Sequence, residues 1–90
     1  MKAIWKVPLE ITDEQTVNLP WGAEPLTVQV QGDELCLWAK VDTTNPGLAH
    51  TVHIYGTGNP IPDEDPDYPE AYIGTVQTHG GALVWHVFWV

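Results

Sequence analysis

Few side chains in this 90-residue sequence are equipped for chemistry, and their spacing narrows the choice further. Serine is absent, which removes a serine nucleophile. The single cysteine, Cys36, sits in the alternating run Glu34 to Asp42, where nothing nearby promotes its thiolate, so it reads as a packing residue. The four histidines offer no Cys/His zinc spacing. His50 and His53, three apart on a strand, point to opposite faces and cannot chelate together, so both are expected at the surface. Asp63, Asp65 and Asp67 imitate the start of a calcium loop. Tyr68 stands where that loop needs its sixth-position glycine, and Gly74 where it needs its final glutamate. The segment is read instead as a solvated acidic loop. No catalytic residue, metal or cofactor is expected.

What remains is binding chemistry. Gly80-Gly81 is a favoured turn pair between two strand-like runs. Residues whose numbers sum to 161 then face each other: His86 opposes Thr75, Val84 opposes Gln77, and Phe88 opposes Ile73. His86, Thr75 and Gln77 would form a polar island walled by apolar side chains, the makeup of a small-molecule site. The plainer alternative is a core histidine satisfied by a threonine hydroxyl. His79 lies two pleat repeats from His86, roughly 13 Å at about 3.3 Å per residue, too far to share an ion. Gly56-Thr57-Gly58-Asn59-Pro60 comes directly after a strand, and its backbone N–H groups could approach an anion. It lacks the Lys-Ser/Thr and the helix of a phosphate-binding loop. A tryptophan or tyrosine ring is expected to stack on a planar ligand, with Trp38 among the residues of the site.

The elements that position these residues are strands. No window carries a helical apolar stripe, and eight prolines and eight glycines break the chain repeatedly. Ala3, Trp5, Val7, Leu9 and Ile11 alternate with mainly polar neighbours. A short strand is expected over Thr16 to Leu19. Leu26, Val28 and Val30 form a half-buried strand, joined by a Gly32-Asp33 hairpin to Glu34 to Asp42. The latter sets Leu35, Leu37, Ala39 and Val41 against Cys36, Trp38 and Lys40. His50 to Tyr55, Ala71 to Thr78 and Ala82 to Val90 complete the set, and Gly56 to Pro69 is the one long irregular segment. The expectation is a single all-β domain over residues 1–90, with about seven antiparallel strands in a small sandwich or partly closed barrel.

Leu83 to Val90 is apolar on both faces, with Leu83, Trp85, Val87 and Trp89 on one side and Val84, His86, Phe88 and Val90 on the other. A strand of that kind must be covered twice. A 90-residue chain buries only roughly 60–65% of its unfolded surface, and with one cysteine it has no internal disulfide. Both points favour a homo-oligomer, with Val84, Phe88, Trp89 and Val90 at the interface. The net charge of -9, from three basic and twelve acidic residues, repels nucleic acid and anionic membrane. No stretch approaches the roughly 18 apolar residues of a membrane span, and no secretory h-region comes after Met1, so a cytoplasmic protein is expected.

Several blocks carry a resemblance when taken in order. They are Ile4-Trp5-Lys6-Val7-Pro8-Leu9, Asp13-Glu14-Gln15-Thr16-Val17, Leu19-Pro20-Trp21-Gly22-Ala23, Val28-Gln29-Val30-Gln31 and Cys36-Leu37-Trp38-Ala39 with Val41-Asp42. Gly56-Thr57-Gly58-Asn59-Pro60-Ile61, Tyr72-Ile73-Gly74-Thr75 and Gly80-Gly81-Ala82-Leu83-Val84-Trp85-His86-Val87-Phe88 come next. Across nearly the whole chain they resemble a family of short uncharacterised proteins of tailed bacteriophages and prophages, a domain of unknown function. Members often have His at the position of Asn59 and Phe at that of Trp85. The resemblance implies an accessory protein in the bacterial host cytoplasm and supplies no activity.

Two functions fit these readings. The first is a non-enzymatic, oligomeric binding module that sequesters a small nucleotide-derived signal of host defence, with the charge of -9 opposing any anion. The second is an acidic protein that inhibits a host defence enzyme by direct contact. A virion or assembly component is a third, without a positive sequence feature.

Overall fold

The computed structural model describes residues 1–90 as seven antiparallel strands in two sheets, with no α-helix. The strands are β1 (Lys2–Leu9), β2 (Glu14–Pro20), β3 (Glu24–Gln31), β4 (Glu34–Asp42), β5 (Gly47–Gly56), β6 (Ala71–Thr78) and β7 (Leu83–Trp89). One sheet has the order β1-β4-β3 and the other β2-β5-β7-β6. The barrel alternative is thereby set aside: the two sheets lie face to face, and β3 approaches β6 along one side. The chain crosses between the sheets from β1 to β2, from β2 to β3 and from β4 to β5. Side chains and backbone tie these corners. Gln15 bonds both backbone groups of Glu10 at the first. At the other end, Trp21 N–H donates to Pro46 C=O (2.8 Å) and the Asn45 amide donates to Trp21 C=O (2.9 Å).

Alternation decides which side chains enter the sandwich. Leu35, Leu37, Ala39 and Val41 of β4, the middle of its sheet, join Val52 and Ile54 of β5 and Val87 of β7 in the core. Leu37, Val52 and Val87 have no exposed surface, and one continuous cluster of 13 buried residues holds both sheets. Burial of apolar area at about 25 cal/mol per Å² is what makes the double layer favourable. Gly74 permits the close approach of β6 to β3, since a Cβ there would stand 3.0 Å from Val28 Cγ2.

Two local expectations are corrected. The β6–β7 connection is a turn over His79 to Ala82 with a short 3₁₀ segment at His79–Gly81, not a two-residue Gly80-Gly81 hairpin. His79, Gly80 and Gly81 all have positive φ, so the chain reverses over more residues than glycine pairing alone suggests. The 161 rule still holds for Thr75↔His86, Val76↔Trp85, Gln77↔Val84 and Thr78↔Leu83. It fails beyond Gly74, because the ladder carries a bulge between Tyr72 and Gly74. Phe88 therefore opposes Tyr72, and Ile73 turns to pack on the core. Ile11 likewise lies beyond the end of β1, exposed.

Candidate functional site

The outer face of β2-β5-β7-β6 is where the chemistry collects. Val52, Ile54, Trp85, Val87 and Trp89 point into the sandwich, so His53, Tyr55, Val84, His86 and Phe88 point away from it. Thr75 and Tyr72 join them from β6. Segment 57–70 bends back over this face, held at its start by Thr57 and at its end by Glu70.

His86 is the centre of the expected polar island, and the structure gives it two partners. Thr75 Oγ1 lies 2.9 Å from Nδ1, and Thr57 Oγ1 lies 2.7 Å from Nε2. A neutral imidazole donates from one nitrogen and accepts at the other, so one threonine receives a proton and the other gives one. Tyr72 extends the chain of hydrogen bonds through its hydroxyl, 2.5 Å from Thr75 Oγ1. Two separate sequence expectations, the glycine loop and the hairpin island, thus meet at one residue. The threonines and Tyr72 are exposed and His86 is half-buried, so a ligand can reach all four.

The loop beside it behaves differently from expectation. Thr57 N–H donates to Val84 C=O (3.2 Å) and Asn59 N–H to Gly56 C=O (3.1 Å). Both groups are engaged within the chain and Pro60 has none, so the loop does not present a run of free N–H groups to an anion. The anion nest is corrected to a turn. Gly56 is needed for closeness: a Cβ there would lie 2.8 Å from Asn59 Nδ2 and 3.3 Å from the Trp85 ring. Gly56, Thr57 and Asn59 do line a cleft of about 250 Å³ with Val84 and Trp85. Gln77 is not part of the island; it lines another cleft with Gly32, Asp33 and the His79–Gly81 turn. Trp38 lies on the outer face of the other sheet, opposite Lys6 and Thr27 and away from His86.

The interface set also divides. Trp89 packs on the core and its ring stacks on His50 at 4.9 Å, so it is an internal residue. Phe88 stands edge-on to Tyr55 and Tyr72, both at 5.6 Å, and is half-buried inside the chain. Val84 and Val90 line clefts on the outer face. Both faces of β7 are therefore covered in large part by the protein itself.

A second cluster on the same face escaped the sequence reading. Tyr55 O–H donates to the Glu70 carboxylate, at 3.0 and 3.1 Å from its two oxygens. His53 Nδ1 stands 3.3 Å from Glu70 Oε2, and its Nε2 is 3.5 Å from Glu14 Oε1. The Glu70 side chain is only 14% exposed. Burial, followed by the Glu70 carboxylate, pushes the Tyr55 hydroxyl up to about 12. These groups share a cleft of about 350 Å³ with Asp63, Asp65, Tyr68 and Val90. No three His, Cys, Asp or Glu side chains are grouped to hold a metal ion. Neither His50 nor His53 is a surface histidine: both are half-buried, and His50 has its Nε2 enclosed and unpaired. The missed signal is His53 and Tyr55, two residues apart on one strand face, with a carboxylate at the mouth of β6.

The fold and its outer face define a small antiparallel β-sandwich with a polar, aromatic surface on the four-stranded sheet and no helix long enough to cross a membrane. The chain belongs to a family described as a domain of unknown function (DUF7352), whose model matches residues 1–90. No curated protein and no solved structure matches it.

Proposed function

We propose that this chain is a non-enzymatic binding module, acting as an oligomer, that captures a small nucleotide-derived molecule on the outer face of β2-β5-β7-β6. The observation that carries the reading is the convergence of Thr57, Thr75 and Tyr72 on His86. Three hydroxyls and an imidazole, each able to donate or accept, stand together beside the rings of Phe88 and Tyr72. Nucleobase edges present matching donors and acceptors, and their faces stack on aromatic rings. In the phage setting that the sequence resemblance implies, such a protein would work in the host cytoplasm by withdrawing a defence signal from its receptor.

A panel of nucleosides, mononucleotides and cyclic dinucleotides in thermal shift experiments tests this. A true ligand at about 100 times its Kd raises stability by about 2.7 kcal/mol. His86→Ala should abolish that rise and cost the free protein only about 1 kcal/mol, because water can replace the imidazole at two exposed threonines. If no member of the panel moves the wild-type transition, the reading is wrong.

A second reading is favoured by the Glu70 anchor. Held by Tyr55 and His53, segment 57–70 presents Asp63, Asp65, Asp67 and Tyr68 as a fixed acidic ridge, which suits a basic surface on a host enzyme. That inhibitor would bind through side chains the first reading does not use, so Asp63→Asn with Asp65→Asn separates the two.

A further inference from the structure

Both faces of β7 are covered largely by the chain itself, so a second copy must meet another element. The edge strands are β1 and β3 of one sheet and β2 and β6 of the other. β3 and β6 lie close against each other, where Gly74 meets Val28. On β2, Ile54 N–H donates to Asp13 C=O (3.1 Å), next to the Glu14↔His53 pair. Bonded pairs alternate along an antiparallel ladder, so Glu14, Thr16 and Asn18 turn their backbone groups outward. That edge is polar, and Glu14 C=O already accepts the Thr12 hydroxyl (3.2 Å). β1 is different. Thr43 N–H donates to Met1 C=O (2.8 Å), next to Lys2↔Asp42, so the odd-numbered residues bond β4 while Lys2, Ile4, Lys6 and Pro8 face away. The N–H groups of Lys2, Ile4 and Lys6 have no partner in the chain, because β1 pairs with β4 alone. Ile4 is 64% exposed and Trp5 41%, although Trp5 opposes the buried Ala39 on the inner side of its sheet. Residues 10–13 tie the start of β2 to the end of β1, and residues 21–23 tie its end to the start of β3. β2 thus crosses beneath the sheet from one side of β4 to the other and leaves the first half of β1 uncovered.

We propose that β1 pairs antiparallel with β1 of a second copy about a two-fold axis at Trp5, joining two three-stranded sheets into one of six strands. The strand is its own complement in this register. The N–H groups of Lys2, Ile4 and Lys6 meet the C=O groups of the partner's Pro8, the partner's Lys6 and the partner's Ile4, and the reverse holds by symmetry. Every free donor on both edges is then used, and the missing N–H of Pro8 leaves only Lys2 C=O to water. Trp5 falls opposite the partner's Trp5 in a non-bonded pair, the kind that brings side chains closest. A register centred on Ile4 would use the same donors but set Lys2 against the partner's Lys6 twice, and like charges directly opposite are destabilising. Lysine and proline on an edge generally ward off pairing. Here the Lys6 ammonium is drawn back across β4 to the Gln31 side chain (2.9 Å), away from the edge. A foreign strand could use the same donors but would not bring the second indole.

The contact is isologous and closes at two copies. A two-fold axis at the centre of an antiparallel pair stands perpendicular to the sheet, so both four-stranded sheets lie on one side of it and both His86 faces open the same way. The two indoles meet on that side, in the space that β2 leaves beside β1. The pairing gives the oligomer of the proposed function its contact and needs no ligand.

Matched proline substitutions test the edge. Ile4→Pro removes one outward N–H and leaves the β1–β4 bonds in place, since proline is tolerated on the open side of an edge strand, where Pro8 already stands. Thr16→Pro makes the same change on the open side of β2. In sedimentation, wild type and Thr16→Pro should be dimers and Ile4→Pro a monomer, with circular dichroism showing that each is folded. Cysteine substitutions read the register without a proline. Opposed Cα atoms of a non-bonded pair lie about 4.5 Å apart, within the roughly 4.4–6.8 Å of a disulfide, so mild oxidation should link two copies of Trp5→Cys. Ile4→Cys, set against the partner's Lys6, should not link, and the native Cys36 is fully buried. A monomeric wild type, a dimer that survives Ile4→Pro or is lost in Thr16→Pro, or a Trp5→Cys that does not link would each overturn the proposal. So would a disulfide through Ile4→Cys, or capture of an unrelated extended peptide by a monomeric wild type. Failure of the nucleotide panel would leave the dimer standing, and a monomer would remove the oligomer from the proposed function but not its ligand.

Discussion

The outer face of β1-β4-β3 carries three unpaired lysines, an exposed Ile4 and a half-buried Trp38, and its side chains make few bonds with one another. The outer face of β2-β5-β7-β6 carries two histidines, two tyrosines and a phenylalanine joined by hydrogen bonds and ring contacts, with an acidic segment folded over them. Both faces come from the same alternation of side chains on strands. The difference lies in how the strands are connected. β3 and β4 are joined by the short Gly32-Asp33 turn, whereas β5 leads into fourteen residues without regular structure, 57 to 70, before β6 begins. A long segment between strands of one sheet has to lie somewhere, and here it runs against part of the outer face, tied to it through Thr57 and Glu70.

The sharpest way to break that comparison is to remove the ring at its centre. Phe88→Ala takes away the contacts with Tyr55 and Tyr72, and should cost about 2–3 kcal/mol, less than the roughly 3–5 of a fully buried ring. On the other face, Ile4→Ala should change stability by no more than about 0.5 kcal/mol. Thermal melts would show the first as a fall of at least about 8 °C and the second as little change. Equal losses would mean that the two faces are packed alike.

Glu70→Gln sharpens the comparison by addressing the segment alone. The carboxylate accepts the Tyr55 hydroxyl and stands beside His53, nearly out of water. A charge-assisted hydrogen bond is worth about 1.5–3 kcal/mol, and the amide keeps part of it, so a loss of about 1–2 kcal/mol is expected. Backbone amides of segment 57–70 should also exchange faster with solvent, while those of β1 and β3 keep their protection. If exchange quickens evenly across the protein, Glu70 supports the whole fold and not this segment alone.

How far the sequence reveals these faces depends on the rule being asked of it. Period-two alternation is enough to separate Leu37 from Trp38 and Val87 from His86, and it places β4 and β6 at their observed ends. It cannot show which side of a doubly apolar strand is the core, so Trp89 looks as eligible for an interface as Phe88. Nor does it reveal a bulge, because one extra residue changes no composition; only the ladder shows Ile73 turned inward and Tyr72 in its place. Thr75 facing His86 is legible, since the antiparallel register is arithmetic near a turn. Thr57 reaching the same histidine is not, as β5 and β7 are brought together by sheet order. The Glu70 cluster is hidden by its composition: a run of acids and prolines reads as solvated, and only burial shows one carboxylate withdrawn from the rest.

The smallest effects lie at the two ends of the pH scale and separate the faces once more. On the three-stranded sheet, the Thr44 hydroxyl and N–H donate to Asp42 at 2.7 and 3.1 Å, and these bonds, with the nearby α-amino group, hold its carboxyl down at about 2 against an ordinary 3.8. A carboxyl depressed on folding contributes stability that is fully present above the unfolded value and lost as pH falls through the folded one, here from 3.8 towards about 2. On the four-stranded sheet, Tyr55 is raised from 10.0 to about 12, chiefly by burial and then by Glu70. A phenol raised on folding stabilises below its unfolded value, and that contribution disappears as pH climbs from 10.0 through about 12. Asp42→Asn should therefore flatten the acid limb of the stability profile and leave the alkaline limb alone. Tyr55→Phe should do the reverse, and should remove the last tyrosinate absorbance to appear in an alkaline titration. If both variants alter the same limb, the two faces are electrostatically one surface.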